Sequence, residues 1–309
     1  MPTEAVLAEM RQADSAGSLS GWHPEGRLSR LEQDLLANRL RNVLRSLQMQ
    51  CAQVHSIVWP QGGVSPRVDS PNPRAPVRIM LPPRAAELPS EDEVHLWVVY
   101  LRLGADDCGL LTPCERARAD RFHFRRDRDL FIAGRAQLRR ILGAYLRQSP
   151  EALRFTYGES GKPALSGPLA FNLSHSGGFA ALAVARFQLG VDIECVRPIE
   201  EAVAERFFAA DEVMRLRGLP QEQQTEAFFA CWTRKEAYVK ALGDGLLLSL
   251  DSFSVALEPE VPARLLRAGD DPAEPSRWQF HHFVPAPGMV GAIAARRCFW
   301  QVRRLSPET

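Results

Sequence analysis

Asp192 and Glu194 stand one residue apart in Gly190-Val191-Asp192-Ile193-Glu194, where acidic and apolar residues alternate. Side chains alternate along a β-strand, so the two acids share one face while Val191 and Ile193 turn toward a core. Like charges that close are costly unless something positive sits between them. Hard oxygen ligands of this kind suit Mg²⁺, which usually takes a few carboxylates together with substrate phosphates. A third acid follows about forty residues later in the helical stretch 228–240, Phe-Phe-Ala-Cys-Trp-Thr-Arg-Lys-Glu-Ala-Tyr-Val-Lys. Phe229, Trp232, Glu236 and Lys240 recur there at spacings of three and four, which places Glu236 beside bulky apolar groups. Taken alone, the helix also admits a plain Glu236–Lys240 ion pair worth about 0.3–0.5 kcal/mol.

A further segment, Phe171-Asn172-Leu173-Ser174-His175-Ser176-Gly177-Gly178, runs from a short apolar strand into hydroxyl, amide and imidazole groups and then two glycines. That composition lets backbone and side-chain donors approach an anion. Upstream, Gly158-Glu159-Ser160-Gly161-Lys162-Pro163 offers a lysine at a turn. Singly these are weak signals: Gly-Lys-Pro is usually just a turn, and a lone His175 is more often a hydrogen-bonded structural histidine.

In this order, the segments resemble the large, Sfp-like phosphopantetheinyl transferases. Members read a Gly-Lys-Pro turn, an Asn-(Ile/Leu)-Ser-His-Ser strand end, a Gly-(Ile/Val)-Asp-Ile-Glu strand and a Trp-x-x-Lys-Glu-x-x-x-Lys helix. The four counterparts here are Gly161-Lys162-Pro163, residues 172–176, residues 190–194 and residues 232–240. The resemblance covers about residues 94–295 and implies an α+β fold of two related halves with the cofactor between them.

The resemblance also implies an activity. The 4′-phosphopantetheine arm of coenzyme A passes to a serine of an acyl or peptidyl carrier protein, with 3′,5′-ADP released, which is holo-acyl-carrier-protein synthase chemistry. Asp192, Glu194 and Glu236 would bind Mg²⁺, or Mn²⁺ in its place. Glu236, directly or through a metal-bound water, would be the base for the serine hydroxyl. Lys240 would stabilise the leaving diphosphate, with Lys235 assisting. Gly161, Lys162, Pro163, Asn172, Ser174 and His175 would line the coenzyme A site, and Asp192 and Lys240 would reach the same ligand. Arg118 matches one basic position of the family; Glu115 stands where some members have lysine, and Arg128 is the substitute. The segment after the Asp-x-Glu strand, about 202–219, would dock the carrier through Phe207, Phe208, Val213 and Leu216.

Among 309 residues, 45% are hydrophobic and 24% charged, which fits a globular chain with ample length for a core. Net charge is +1, so no global field draws the chain to nucleic acid or membrane. The six cysteines are scattered without a C-x-x-C pair, and residues 1–15 lack a basic start and an apolar run, so a cytoplasmic protein with reduced thiols is expected. Leucines at 28, 31, 35, 40, 44 and 47 predict an amphipathic helix over 28–50, and the prolines of 58–90 predict a linker. That helix could dock on its own domain, pair with a partner or lie on a membrane surface.

After this 1–90 extension, halves at 91–188 and 189–309 are expected, because the chain repeats at an offset of 97. Val94 falls on Val191, Pro113 on Ala210 and Phe131 on Phe228. At that offset Asp192, Glu194 and Glu236 correspond to His95, Trp97 and Arg139, so one metal site in one monomer is expected. The arginine-rich stretch 116–147 reads as a solvated face, a nucleic-acid surface, or in part a phosphate cradle for coenzyme A. Two other classes stay open: an inactive cofactor-binding adaptor, and a hydrolase built on Ser174 and His175. The first would have lost an acid, and the second lacks a G-x-S-x-G elbow.

Overall fold

The computed structural model describes residues 86–158, 161–198, 201–243 and 248–305. The expected helix at 28–50 and all but the end of the proline-rich stretch lie outside the described residues. Strand β1 (Glu93–Tyr100) leads through a four-residue helix α1 (Asp107–Leu110) to α2 (Pro113–Ala119) and the 22-residue α3 (Arg125–Leu146). Two short strands, β2 (Thr156–Tyr157) and β3 (Pro163–Ala164), precede β4 (Ala170–Ser176) and β5 (Phe179–Ala185). The chain then starts again. Strand β6 (Leu189–Cys195) is followed by α4 (Glu201–Phe207), α5 (Ala210–Gly218) and the 22-residue α6 (Gln221–Leu242). A small β7 (Phe253–Val255) and β8 (Leu265–Ala268) pair comes next, before β9 (Gln279–Phe283), β10 (Met289–Ala295) and β11 (Gln301–Leu305).

The repetition is topological. In the first half the sheet runs β1-β5-β4 and in the second β6-β10-β9, in each case an antiparallel set entered by a strand, a short helix and a long helix. Strand β11 then crosses back and adds parallel to the free edge of β1, Glu93 opposite Gln301. No described helix is long and apolar enough to cross a membrane.

Strand β1 is buried on both faces, because each face meets a different layer. Trp97, Val99 and Leu101 pack with Leu138, Ile141 and Leu142 of α3. Val94 and Leu96 share a central core with Val191, Ile193 and Ile293 of the second sheet. With Val191 and Ile193 committed inward, alternation sends Gly190, Asp192 and Glu194 toward α6.

The two halves carry one structural knot twice. In the first, the α2 cap residue Thr112 accepts from the Glu115 amide, and Glu115 Oε2 receives Arg139 Nη2 at 2.7 Å. Arg139 also donates to the carbonyls of Pro150 and Leu153. In the second, Glu212 Oε2 caps the Ala209 amide and meets Lys235 Nζ at 2.7 Å, and Lys235 donates to the carbonyls of Leu250 and Phe253. Arg139 therefore matches Lys235, not Glu236. The long helices are offset by one residue less than the short ones, starting at Arg125 and Gln221 where α2 and α5 start at Pro113 and Ala210.

Candidate active site

Glycine 190 sets the closeness of α6 to β6. A Cβ there would stand 2.0 Å from the Ala237 carbonyl oxygen and 2.5 Å from the Ala241 nitrogen, so only glycine permits this approach. The approach lays the Glu236–Lys240 turn of α6 over Asp192 and Glu194. Lys240 Nζ donates to Asp192 Oδ1 at 2.6 Å and lies 3.4 Å from Ser174 Oγ.

Where β6 meets β4, side chains replace a backbone ladder. Asn172, Ser174 and Ser176 share one face of β4 and accept from the amides of Val191, Ile193 and Cys195 in turn. The two serine hydroxyls then donate to the acids, Ser174 to Asp192 Oδ1 at 2.7 Å and Ser176 to Glu194 Oε2 at 2.8 Å. Arg197 Nη1 reaches the same Glu194 oxygen at 3.4 Å. Asp192 Oδ2 is buried with no hydrogen-bond partner.

Burial, and then the charge of Asp192, push Glu194 up to about 7. Burial also pushes Glu236 up to about 7; Lys240 pulls it back, and the other two acids add to the rise. Burial works against the Lys240 charge, but Asp192 and Glu236 outweigh it and hold the ammonium above its ordinary value. Among the described residues no three His, Cys, Asp or Glu side chains are already gathered round one cation-sized point. The donor set nonetheless fits a hard cation: one buried Asp192 oxygen has no partner, and the charge of Asp192 adds to the burial that raises Glu194 and Glu236. The first half offers nothing similar. At the matching strand positions His95 and Trp97 are buried and both bonded to the Tyr145 hydroxyl, at 2.7 and 2.9 Å.

Several expected site residues lie elsewhere. Lys235 is wholly buried in the Glu212 knot on another face of α6 and bonded to the Leu250 and Phe253 carbonyls. Phe208 is buried against Phe228 and Trp232, and Leu216 is buried as well, so neither is a surface anchor. Phe207 and Val213 are half-buried, and the exposed apolar side chain of that segment is Met214. Lys162 Nζ is tied to the carbonyls of Leu189 and Lys240 at 3.1 and 2.6 Å, and burial, followed by Lys240, pushes it down to about 8. It anchors the end of α6 to the start of β6, with Gly161 turning the chain at φ +76° and Pro163 opening β3. Asn172 and Ser174 are likewise spent on the β4–β6 seam, while His175 is exposed on the opposite face of β4. Arg118 is exposed over the Phe131 ring, and Arg128 pairs with Asp120 at 3.1 Å. Ser176 and Arg197, which hold Glu194, were not among the expected site residues. The two-residue step from Ser174 points to Ser176, whereas nothing in the sequence singles out Arg197.

The superfamily model for 4′-phosphopantetheinyl transferases matches residues 188–294, and the model for the N-terminal region of 4′-phosphopantetheinyl transferases matches residues 106–187. The 4′-phosphopantetheinyl transferase HetI of a Nostoc species is 42% identical over 222 residues, covering 68% of this chain and 90% of that protein. The 4′-phosphopantetheinyl transferase Sfp of Bacillus subtilis is 34% identical over 152 residues, 48% of this chain and 68% of its own length. Among solved structures, the holo-[acyl-carrier-protein] synthase of Thermotoga maritima aligns with a TM-score of 0.29 at 21% identity, over 36% of this chain and 64% of that one. With the HetI likeness running through nearly all of that relative, and the superfamily model matching the strand and helix that carry the three acids, the chain belongs to the 4′-phosphopantetheinyl transferases.

Proposed function

We propose that the protein transfers the 4′-phosphopantetheine arm of coenzyme A to a serine hydroxyl of an apo acyl or peptidyl carrier protein, with Asp192, Glu194 and Glu236 holding Mg²⁺. The observation that carries this is the acid trio between β6 and α6, with its orphaned Asp192 oxygen and the Lys240 ammonium beside it. The cation would neutralise the diphosphate of coenzyme A and make its phosphorus more electrophilic.

The rest falls to the chain's own side chains. Phosphoryl transfer needs mainly positioning and charge neutralisation. Glu236 makes no side-chain hydrogen bond to another described residue, so its carboxylate is left to take the serine proton, directly or through a bound water. The serine oxygen bonds to the phosphorus as the bond to the 3′,5′-ADP oxygen breaks, and Lys240, at the edge of the trio, is placed to meet charge on the leaving 5′-phosphate oxygen. Ser174, Ser176 and Arg197 fix the carboxylates so that little reorganisation remains. Arg118 is the exposed cation offered to the 3′-phosphate. Because the first half replaces the acids with His95 and Trp97, we take one chain to hold one such site and to work as a monomer in the cytoplasm, with no nucleic acid or membrane partner. Incubating the protein with coenzyme A, Mg²⁺ and an apo carrier, then weighing the carrier, tests the reading. A gain of one phosphopantetheine on the acceptor serine is expected; an unmodified carrier across fatty-acid, polyketide and nonribosomal-peptide types would overturn it.

A further inference from the structure

Each strand acid of the trio keeps a cation of its own. Asp192 Oδ1 receives the Ser174 hydroxyl and the Lys240 ammonium, and Glu194 Oε2 receives the Ser176 hydroxyl and Arg197 Nη1. In both cases a serine of β4 and a cation meet on one oxygen. The other oxygen, Asp192 Oδ2 or Glu194 Oε1, takes no hydrogen bond from a described residue. The arrangement thus repeats at a step of two residues, and the transfer chemistry uses the charge of its Lys240 half alone.

Arg197 is built into place. Its side chain is 12% exposed, its Nη1 also donates to the Cys195 carbonyl at 3.1 Å, and its guanidinium lies over the Phe229 ring of α6, 5.0 Å from the centroid. Pro198 follows it and biases its backbone away from the helical region. An arginine stays charged at any working pH, so this cation is permanent.

A metal ion held by Asp192, Glu194 and Glu236 would enter a space that already contains the Lys240 and Arg197 charges. Like charges a few ångströms apart in a half-buried site repel far more strongly than in water. Ser176 bonds Glu194 at 2.8 Å while Arg197 stands at 3.4 Å, so orientation is mainly the work of the serine and electrostatics mainly that of the arginine. Arg197 disfavours a proton on Glu194 as well, but a divalent cation carries twice that charge and is opposed more.

On the reading of the trio as the Mg²⁺ site, on which this rests, we propose that Arg197 is a positioning residue of an electrostatic kind, which acts through Glu194 to keep the protein's affinity for a free divalent cation low.

Mg²⁺ titrated calorimetrically into the full chain at pH 8, with no coenzyme A present, tests it. Arg197→Met should bind Mg²⁺ roughly tenfold or more tightly than wild type, because one opposing charge has gone. A purely structural arginine gives the opposite sign, since its loss would loosen Glu194 and weaken the cation. Arg197→Lys, which keeps the charge, should restore wild-type affinity. Ser176→Ala, which frees the same oxygen without changing any charge, should bind no more tightly than wild type. Should Arg197→Met fail to fold, Arg197→Gln, which keeps a donor and loses the charge, should tighten Mg²⁺ in its place. Asp192→Asn should abolish binding; if it binds as wild type does, or if wild type binds no Mg²⁺, the trio is not the cation site and the proposal falls with it. With Asp192→Asn silent as expected, wild-type or weaker affinity in a folded Arg197→Met or Arg197→Gln protein overturns the proposal alone. Equal tightening in Arg197→Lys or Ser176→Ala does the same, by showing that the freed oxygen and not the lost charge sets the affinity.

Discussion

Stability of the cation-free protein should fall as pH rises from about 5 to 8, and Mg²⁺ should reverse that fall. Glu194 and Glu236 each sit at about 7 in the fold against an ordinary 4.5. A carboxyl raised by folding keeps its proton in the native state over a range where the unfolded chain has released it. Its contribution is therefore full below about 4.5 and is lost as pH climbs through about 7. At about 1.4 kcal/mol per pH unit, one such carboxyl is worth about 3 kcal/mol. Burial is the first cause of both rises, so the second carboxyl adds to this loss and about 3 kcal/mol is the lower bound for the pair. For a folded body of this size, about 3 kcal/mol corresponds to a drop of roughly 6–12 °C in Tm. Thermal melts at pH 5.5 and 8.0, with and without millimolar Mg²⁺, read the effect directly. Other groups titrate over the same range, so the decisive quantity is the difference between wild type and Glu236→Gln, which should melt higher at pH 8 and show a flatter profile. Mg²⁺ should raise the wild-type Tm at pH 8 by more than at pH 5.5. A cation-free Tm flat across the range, or an Mg²⁺ gain equal at both pH values, would refute the reasoning.

Lys235→Met should destabilise by about 3–5 kcal/mol in denaturant, since it strands Glu212 in the core, whereas Glu236→Gln should lose transfer and stay folded; a stable Lys235→Met protein without activity would return that lysine to the chemistry. Gly190→Ala should cost about 3 kcal/mol, because the new methyl meets the Ala237 carbonyl, and a loss below about 1 kcal/mol in denaturant would mean the helix lies farther off than described. Arg118→Ala should weaken coenzyme A roughly tenfold to a hundredfold by calorimetry and leave 3′-dephospho-coenzyme A unchanged; equal effects on the two ligands would detach Arg118 from the 3′-phosphate.

The acids were legible because each sits in a strong local period: two steps along β6 with apolar residues between them, and the 3.6-residue stripe of α6. The strand–helix–helix repeat was legible from the offset of 97 that sets Val94 on Val191 and Pro113 on Ala210. What sequence could not give was the partner of each charge. Lys235 and Lys240 look alike on paper, and only the position of Glu212, delivered by a different helix, sends one to the core and leaves the other beside Asp192. Phe208 and Leu216 read as anchors only through the resemblance, which assigns carrier docking to 202–219; the rings of Phe228 and Trp232 close over Phe208 instead. The β4–β6 seam was also out of reach, since Asn172, Ser174 and Ser176 satisfy amides across a junction that no periodicity announces.

The return of β11 to the edge of β1 carries a consequence for how the molecule is made. A ribosome finishes β1 some two hundred residues before it delivers its parallel neighbour, and at ordinary elongation rates of about 5–20 residues per second that is an interval of roughly 10–40 s. Once β5 is complete, with rather more than half of that interval still to run, the first sheet has every other strand it will ever have, yet one edge stands open to strands from other nascent chains. Nascent-chain crowding on a polysome is therefore the condition under which this protein is most exposed to mispairing, and slower translation of the β6–β10 region would lengthen the exposure without altering a single residue of the finished fold.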